Sequence, residues 1–107
     1  MAREYVNQRI LSAAATKIRA RYDSAQIILF GSTARGTDIP GSDIDLCVVI
    51  ENPSERLLDI SRVLRKDLHP ILSGPLDLLV YDKNTFEDRS AFPLTMEAEI
   101  AEQGVRL

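Results

Sequence analysis

From Arg3 to Tyr22 the apolar positions Val6, Ile10, Leu11, Ala14 and Ile18 recur at three- and four-residue steps, the spacing of one helix face. Arg3, Arg9, Lys17, Arg19 and Arg21 lie among the polar positions of this helix and read as its solvated side. Gln26 to Phe30 is a short apolar run that stops at Gly31-Ser32, which predicts a buried strand feeding a tight turn. Thr37 to Ser42 is too rich in turn formers for regular structure and predicts a loop. Asp43 to Ile50 (DIDLCVVI) is dominated by β-branched and apolar residues and bracketed by Gly41 and Asn52-Pro53, as a central strand would be. Ser54 stands where a helix N-cap belongs, and Leu57, Leu58, Val63, Leu64 and Leu68 form a helical stripe that ends before Pro70.

Leu76 to Tyr81 (LDLLVY) follows Gly74-Pro75 as a further strand and closes at Asp82-Lys83-Asn84. Beyond it the pattern is weaker. Thr85 to Ser90 predicts a helical turn, Pro93 to Glu102 a short helix with Gly104 as its C-terminal cap, and Val105 to Leu107 an edge strand. This order predicts an α/β fold of the α+β type: a small mixed β-sheet with helices packed on it.

At 107 residues the chain has room for one small domain, 1–107, and 45% hydrophobic with 27% charged residues is the make-up of a globular core. Thirteen basic against sixteen acidic side chains leave a net charge of −3, which removes a broad basic surface for duplex DNA. The single cysteine, Cys47, closes no intrachain disulfide, and no apolar run approaches the ~18 residues of a membrane span. Early charges also speak against a signal peptide, so the expectation is a cytoplasmic protein without membrane contact.

The chemistry is concentrated in Gly31-Ser32 and, after ten intervening residues, Asp43-Ile44-Asp45. Side chains two apart on a strand share a face, so Asp43 and Asp45 project together while Ile44, Leu46, Val48 and Ile50 take the core side. Neighbouring carboxylates repel, and a hard divalent cation such as Mg²⁺ keeps both ionised and close. Asp77, between Leu76 and Leu78, offers a third carboxylate. If its strand neighbours that of Asp43, the three can converge on two metal ions ~3.5–4 Å apart, the arrangement for in-line phosphoryl displacement. Asp82 competes for that third role. Gly31 lets the backbone approach a phosphate, and Ser32 and the next amides can donate to it, so the set describes a metal-triphosphate pocket. Arg35 is placed to neutralise a phosphate. Cys47 reads as a small core hydrophobe and His69 as a helix-terminal cation. Neither a G-x-x-x-x-G-K-[ST] loop, a G-x-G-x-x-G fingerprint nor H-E-x-x-H occurs, which excludes the usual P-loop, dinucleotide and zincin solutions.

Leu29 to Ile50, LFGSTARGTDIPGSDIDLCVVI, resembles the signature of the DNA polymerase β nucleotidyltransferase superfamily, and the short chain with its ending AEIAEQGVRL resembles the minimal nucleotidyltransferases. The resemblance implies Mg²⁺-dependent transfer of a nucleoside monophosphate from a nucleoside triphosphate, ATP here, with pyrophosphate release. It implies Gly31, Ser32 and Arg35 at the nucleotide, Asp43 and Asp45 on the metals, and Asp77 completing the triad and helping to deprotonate the acceptor hydroxyl. Similar proteins pair with a HEPN-domain toxin in a hetero-oligomer and adenylylate a tyrosine of it, which makes the nucleotidyltransferase an antitoxin. The alternative is a catalytically silent nucleotide-binding module that neutralises its partner by occlusion.

Overall fold

The computed structural model describes residues 8–31, 34, 43–72 and 74–107. Helix α1 (Gln8–Arg21) buries Leu11, Ala14, Ala15 and Ile18, the stripe read from the sequence, and β1 (Gln26–Phe30) follows after a tight turn. Strand β2 spans Ile44–Ile50, one residue shorter than expected, because Asp43 lies just outside it. Helix α2 (Leu57–Leu68) starts from Arg56 with no side-chain cap, so Ser54 is not the cap that its residue type suggested. Three acidic or basic groups compensate nearby: Arg56 and Arg62 both pair with Asp59 in the first turns.

Strand β3 (Leu76–Asp82) runs directly into α3 (Lys83–Ser90), whose N-cap is Asp82. The helical turn expected over Thr85 to Ser90 is therefore part of a helix that starts two residues earlier and ends at the same residue. Helix α4 (Met96–Gln103) is capped by Thr95, which accepts from the Ala98 amide, and closes at Gly104. The edge strand β4 (Val105–Arg106) then pairs with β1.

Among the described residues the strands form one sheet in the order β3-β2-β1-β4. Strand β1 is antiparallel to β2 and to β4, whereas β2 and β3 are parallel, so the sheet is mixed as predicted. One face carries Ile27, Leu29, Ile44, Leu46, Val48, Ile50 and Leu78 against α1 and α2, the larger core. Arg21 ties these two helices together by donating to Asp67 with both Nε and a terminal nitrogen.

The opposite face is buried only in part. Ile28, Cys47 and Val49 pack there against Phe86 of α3 and Ile100 of α4. Tyr81 on the same face donates to Glu97 Oε2 at 2.6 Å and lies with its ring centroid 5.3 Å from that of Phe86. Among the described residues α3 packs on this face through Phe86 and α4 through Ile100. None of the helices among the described residues is long and apolar enough to cross a membrane.

Candidate active site

The register brings the expected residues to one end of the sheet. Phe30, the last residue of β1, is opposite Asp45 in β2, and Asp45 is in turn opposite Asp77 in β3. Adjacent strands lie about 4.8 Å apart, and register partners point to the same side, so the Asp45 and Asp77 side chains leave the sheet as neighbours. Both occupy the partly open face, in line with Cys47 and Val49 on β2 and with Leu79 and Tyr81 on β3. Asp45 is half-buried, while Asp43 and Asp77 are exposed.

Two backbone contacts fix this edge. The Ile44 amide donates to the Pro75 carbonyl at 3.0 Å, and Arg65 at the end of α2 donates to the Leu76 carbonyl at 3.1 Å. Together they lock the residue before Asp45 and the residue before Asp77. No sequence pattern marked Arg65 for that task, since a basic side chain in a last helical turn is commonplace.

Gly31 sits against Asp45. Its φ of 75° lies in the left-handed region, and a Cβ placed on it would overlap Asp45 Oδ2 and stand 3.0 Å from Asp45 Cγ. Only glycine meets both demands, so Gly31 is the cradle in which the Asp45 carboxylate rests. Ser32 and Arg35, the other two expected nucleotide contacts, lie outside the described residues.

Asp82, the competing third carboxylate, is opposite Ile50 at the far end of β3. It accepts from the Thr85 amide at 2.9 Å and from Thr85 Oγ1 at 2.8 Å, and these donors hold its carboxyl below the usual range. Its task is to start a helix. Cys47 is fully buried, and loss of solvent pushes its thiol up to about 12, as fits a core side chain. His69 is the C-cap of α2, as the sequence reading expects of a helix-terminal cation.

The donor set at this edge is all carboxylate oxygen, the chemistry of a hard cation. Among the described residues no three His, Cys, Asp or Glu side chains are gathered closely enough to hold a metal ion by themselves. Mg²⁺ fits such a site, because it is ordinarily held by one or two carboxylates with water and substrate phosphate completing its octahedron.

Beside the carboxylates, a cleft of about 190 Å³ opens between the end of β1 and α4. Phe30, Gly31 and Ala34 form one wall and Met96, Glu99, Ile100, Gln103 and Gly104 the other. Gly104 has an ordinary φ of −70°, yet a Cβ there would run into the Ile28 side chain and the Ile100 carbonyl, so glycine lets α4 and β1 close on each other. The α4 residues carry no local motif and were not legible as a site; their spacing of three and four residues was the available signal.

A profile of the nucleotidyltransferase domain matches residues 11–104. The chain belongs to the nucleotidyltransferase domain family. A curated relative in Methanocaldococcus jannaschii, named "putative protein adenylyltransferase", is 42% identical over 67 residues, a match that covers 52% of this chain and 46% of the relative. The chain thus matches less than half of that relative's length. A crystal structure titled as a "putative nucleotidyltransferase" from Sulfolobus solfataricus superposes with a TM-score of 0.57 at 20% identity, over 92% of this chain and 76% of that one. The last likeness concerns the fold alone. The predicted α+β architecture and the predicted nucleotidyltransferase family are both borne out.

Proposed function

We propose that this nucleotidyltransferase moves AMP from ATP to a hydroxyl, a tyrosine, of a partner HEPN-domain toxin, and acts as its antitoxin. The observation that carries the chemistry is the row Gly31, Asp45 and Asp77 across three adjoining segments at one open sheet end. The relative's name, a protein adenylyltransferase, favours a protein acceptor. So do the exposed apolar side chains Phe92 and Leu94, which a protein partner would cover.

Asp43 and Asp45, with Asp77, are the residues that would hold Mg²⁺, which when bound supplies charge neutralisation on the triphosphate and on the developing transition state. Gly31, lacking a side chain, admits the triphosphate close to its backbone. The acceptor oxygen attacks the α-phosphorus, forming a new P–O bond. The bond from that phosphorus to the oxygen bridging to the β-phosphate breaks, and pyrophosphate departs with the electron pair. Asp77, exposed beside Asp45, takes the hydroxyl proton.

Incubation of the chain and its genomic neighbour with Mg²⁺ and ATP labelled on the α or the γ phosphate tests this reading. Label on the neighbour from α alone is expected, and Asp45→Asn should remove it from a still-folded protein. Transfer of the γ label would mean a kinase. A neighbour bound and neutralised equally well by Asp45→Asn, with no label, would establish occlusion instead.

A further inference from the structure

The cleft between β1 and α4 has no part in the phosphoryl chemistry described above, yet Gly31 is common to both. On one side Gly31 cradles the Asp45 carboxylate; on the other it forms the cleft wall. A ligand whose phosphates lie along Asp45 therefore has its next few atoms at the mouth of the cleft. At about 190 Å³ the space is below the ~300–1,000 Å³ of a site that swallows a drug-sized molecule. It has room for one flat heterocycle rather than for a whole nucleotide.

The lining suits such a ring. Phe30 and Met96 supply an aromatic and a thioether surface for the ring faces. Met96, Glu99, Ile100 and Gln103 follow the three- and four-residue steps of one helix face, so Glu99 and Gln103, one turn apart, both line the same space. A carboxylate only accepts hydrogen bonds, whereas a carboxamide both donates and accepts. The pair therefore complements a ring edge on which an amine donor stands beside a ring-nitrogen acceptor.

We infer that this cleft is the nucleobase subsite of the donor nucleotide, with Glu99 accepting from an exocyclic amine of the base and Gln103 pairing with the adjoining ring nitrogen. The inference rests on the nucleotidyltransferase reading of the carboxylate edge and adds to it the part that reads the base. Residues Glu99 and Gln103 are specificity-determining here and stand apart from the reacting atoms.

The test is calorimetric and needs no turnover. The full chain with Mg²⁺ is titrated with the triphosphate of adenosine in a non-hydrolysable α,β-methylene form, with the same analogue of purine riboside, which lacks only the exocyclic amine, and with inorganic tripolyphosphate. Loss of one hydrogen bond to a charged acceptor predicts about tenfold weaker binding of the purine riboside compound. In Glu99→Ala that ratio should fall to about one, and in Gln103→Ala both nucleotides should weaken while tripolyphosphate binding is kept. Glu99 is exposed on a helix, where alanine is well tolerated, and the ratio is insensitive to the folded fraction.

Nucleotides that bind no tighter than tripolyphosphate, or an adenosine preference that survives Glu99→Ala, would overturn the subsite and leave the carboxylate edge standing. Failure of tripolyphosphate and both nucleotides to bind would overturn the nucleotidyltransferase geometry along with it.

Discussion

Gly31 illustrates how much of this site hangs on a missing atom. Its positive φ disfavours any other residue, and its vacant Cβ position is where the Asp45 carboxylate rests. In Gly31→Ala the left-handed backbone costs roughly 1–2 kcal/mol. The methyl group also pushes Asp45 out of register with Asp77, and an ångström-scale shift at a reacting centre can cost about 10²-fold in rate. A lowered melting temperature together with a rate loss of that order is expected, measured by thermal unfolding and α-label transfer. Wild-type transfer by this variant would mean that Asp45 does not depend on the cradle. A glycine after an apolar strand was visible in the sequence, but its partner was not, because thirteen residues separate Gly31 from Asp45 and only the antiparallel register joins them.

Between elements, β3 carries two carboxylates that the sequence alone could not rank. Asp77 stands opposite Asp45 at the open end of the strand, and Asp82 caps α3 at the closed end. Substitution separates them. Asp77→Asn should lower transfer by about 10²–10⁴-fold, the usual contribution of a positioned base, with little change in melting temperature. Asp82→Ala should leave transfer near wild type and lower the melting temperature by a few degrees, since the Thr85 amide loses its acceptor. The cap also has a pH signature: because its folded pKa is depressed, its stabilisation is present above the ordinary value of 3.8 and is lost as pH falls through the lower folded value. The reverse assignment of activity loss, to Asp82, would place the site at the other end of the sheet.

The same contrast shows what was legible. Strands β1, β2 and β3 announced themselves through dense β-branched and apolar runs, and the α1 stripe through its spacing. Helix α3, KNTFEDRS, is polar nearly all round and buries only Phe86, so it was reduced to a turn. The start of α2 moved from Ser54 to Arg56 because packing of Ile60, Leu64 and Leu68 outweighs the preference for a hydroxyl cap. Parallel pairing of β2 with β3 is a property of the chain path over α2, which periodicity does not record.

For the molecule as a whole, the sheet has one large core and, on its other face, a smaller one against which Tyr81 packs. The small core is consequently built around titratable groups. Burial pushes the Cys47 thiol up to about 12, and burial followed by the bond to Glu97 raises the Tyr81 phenol as well. Below the ordinary thiol value of 9.0 both groups keep their protons in folded and unfolded chains alike, and neither makes stability depend on pH. Above it the unfolded chain releases protons that the folded chain retains, so stability drains away between pH 9.0 and about 12. Urea midpoints measured from about pH 8 to about pH 11 should fall steeply in the wild type and more gently in Cys47→Ala with Tyr81→Phe. Each substitution also removes packing or a hydrogen bond, so the slopes, rather than the absolute midpoints, carry the result. Parallel slopes would mean that solvent reaches the space beneath α3 and α4.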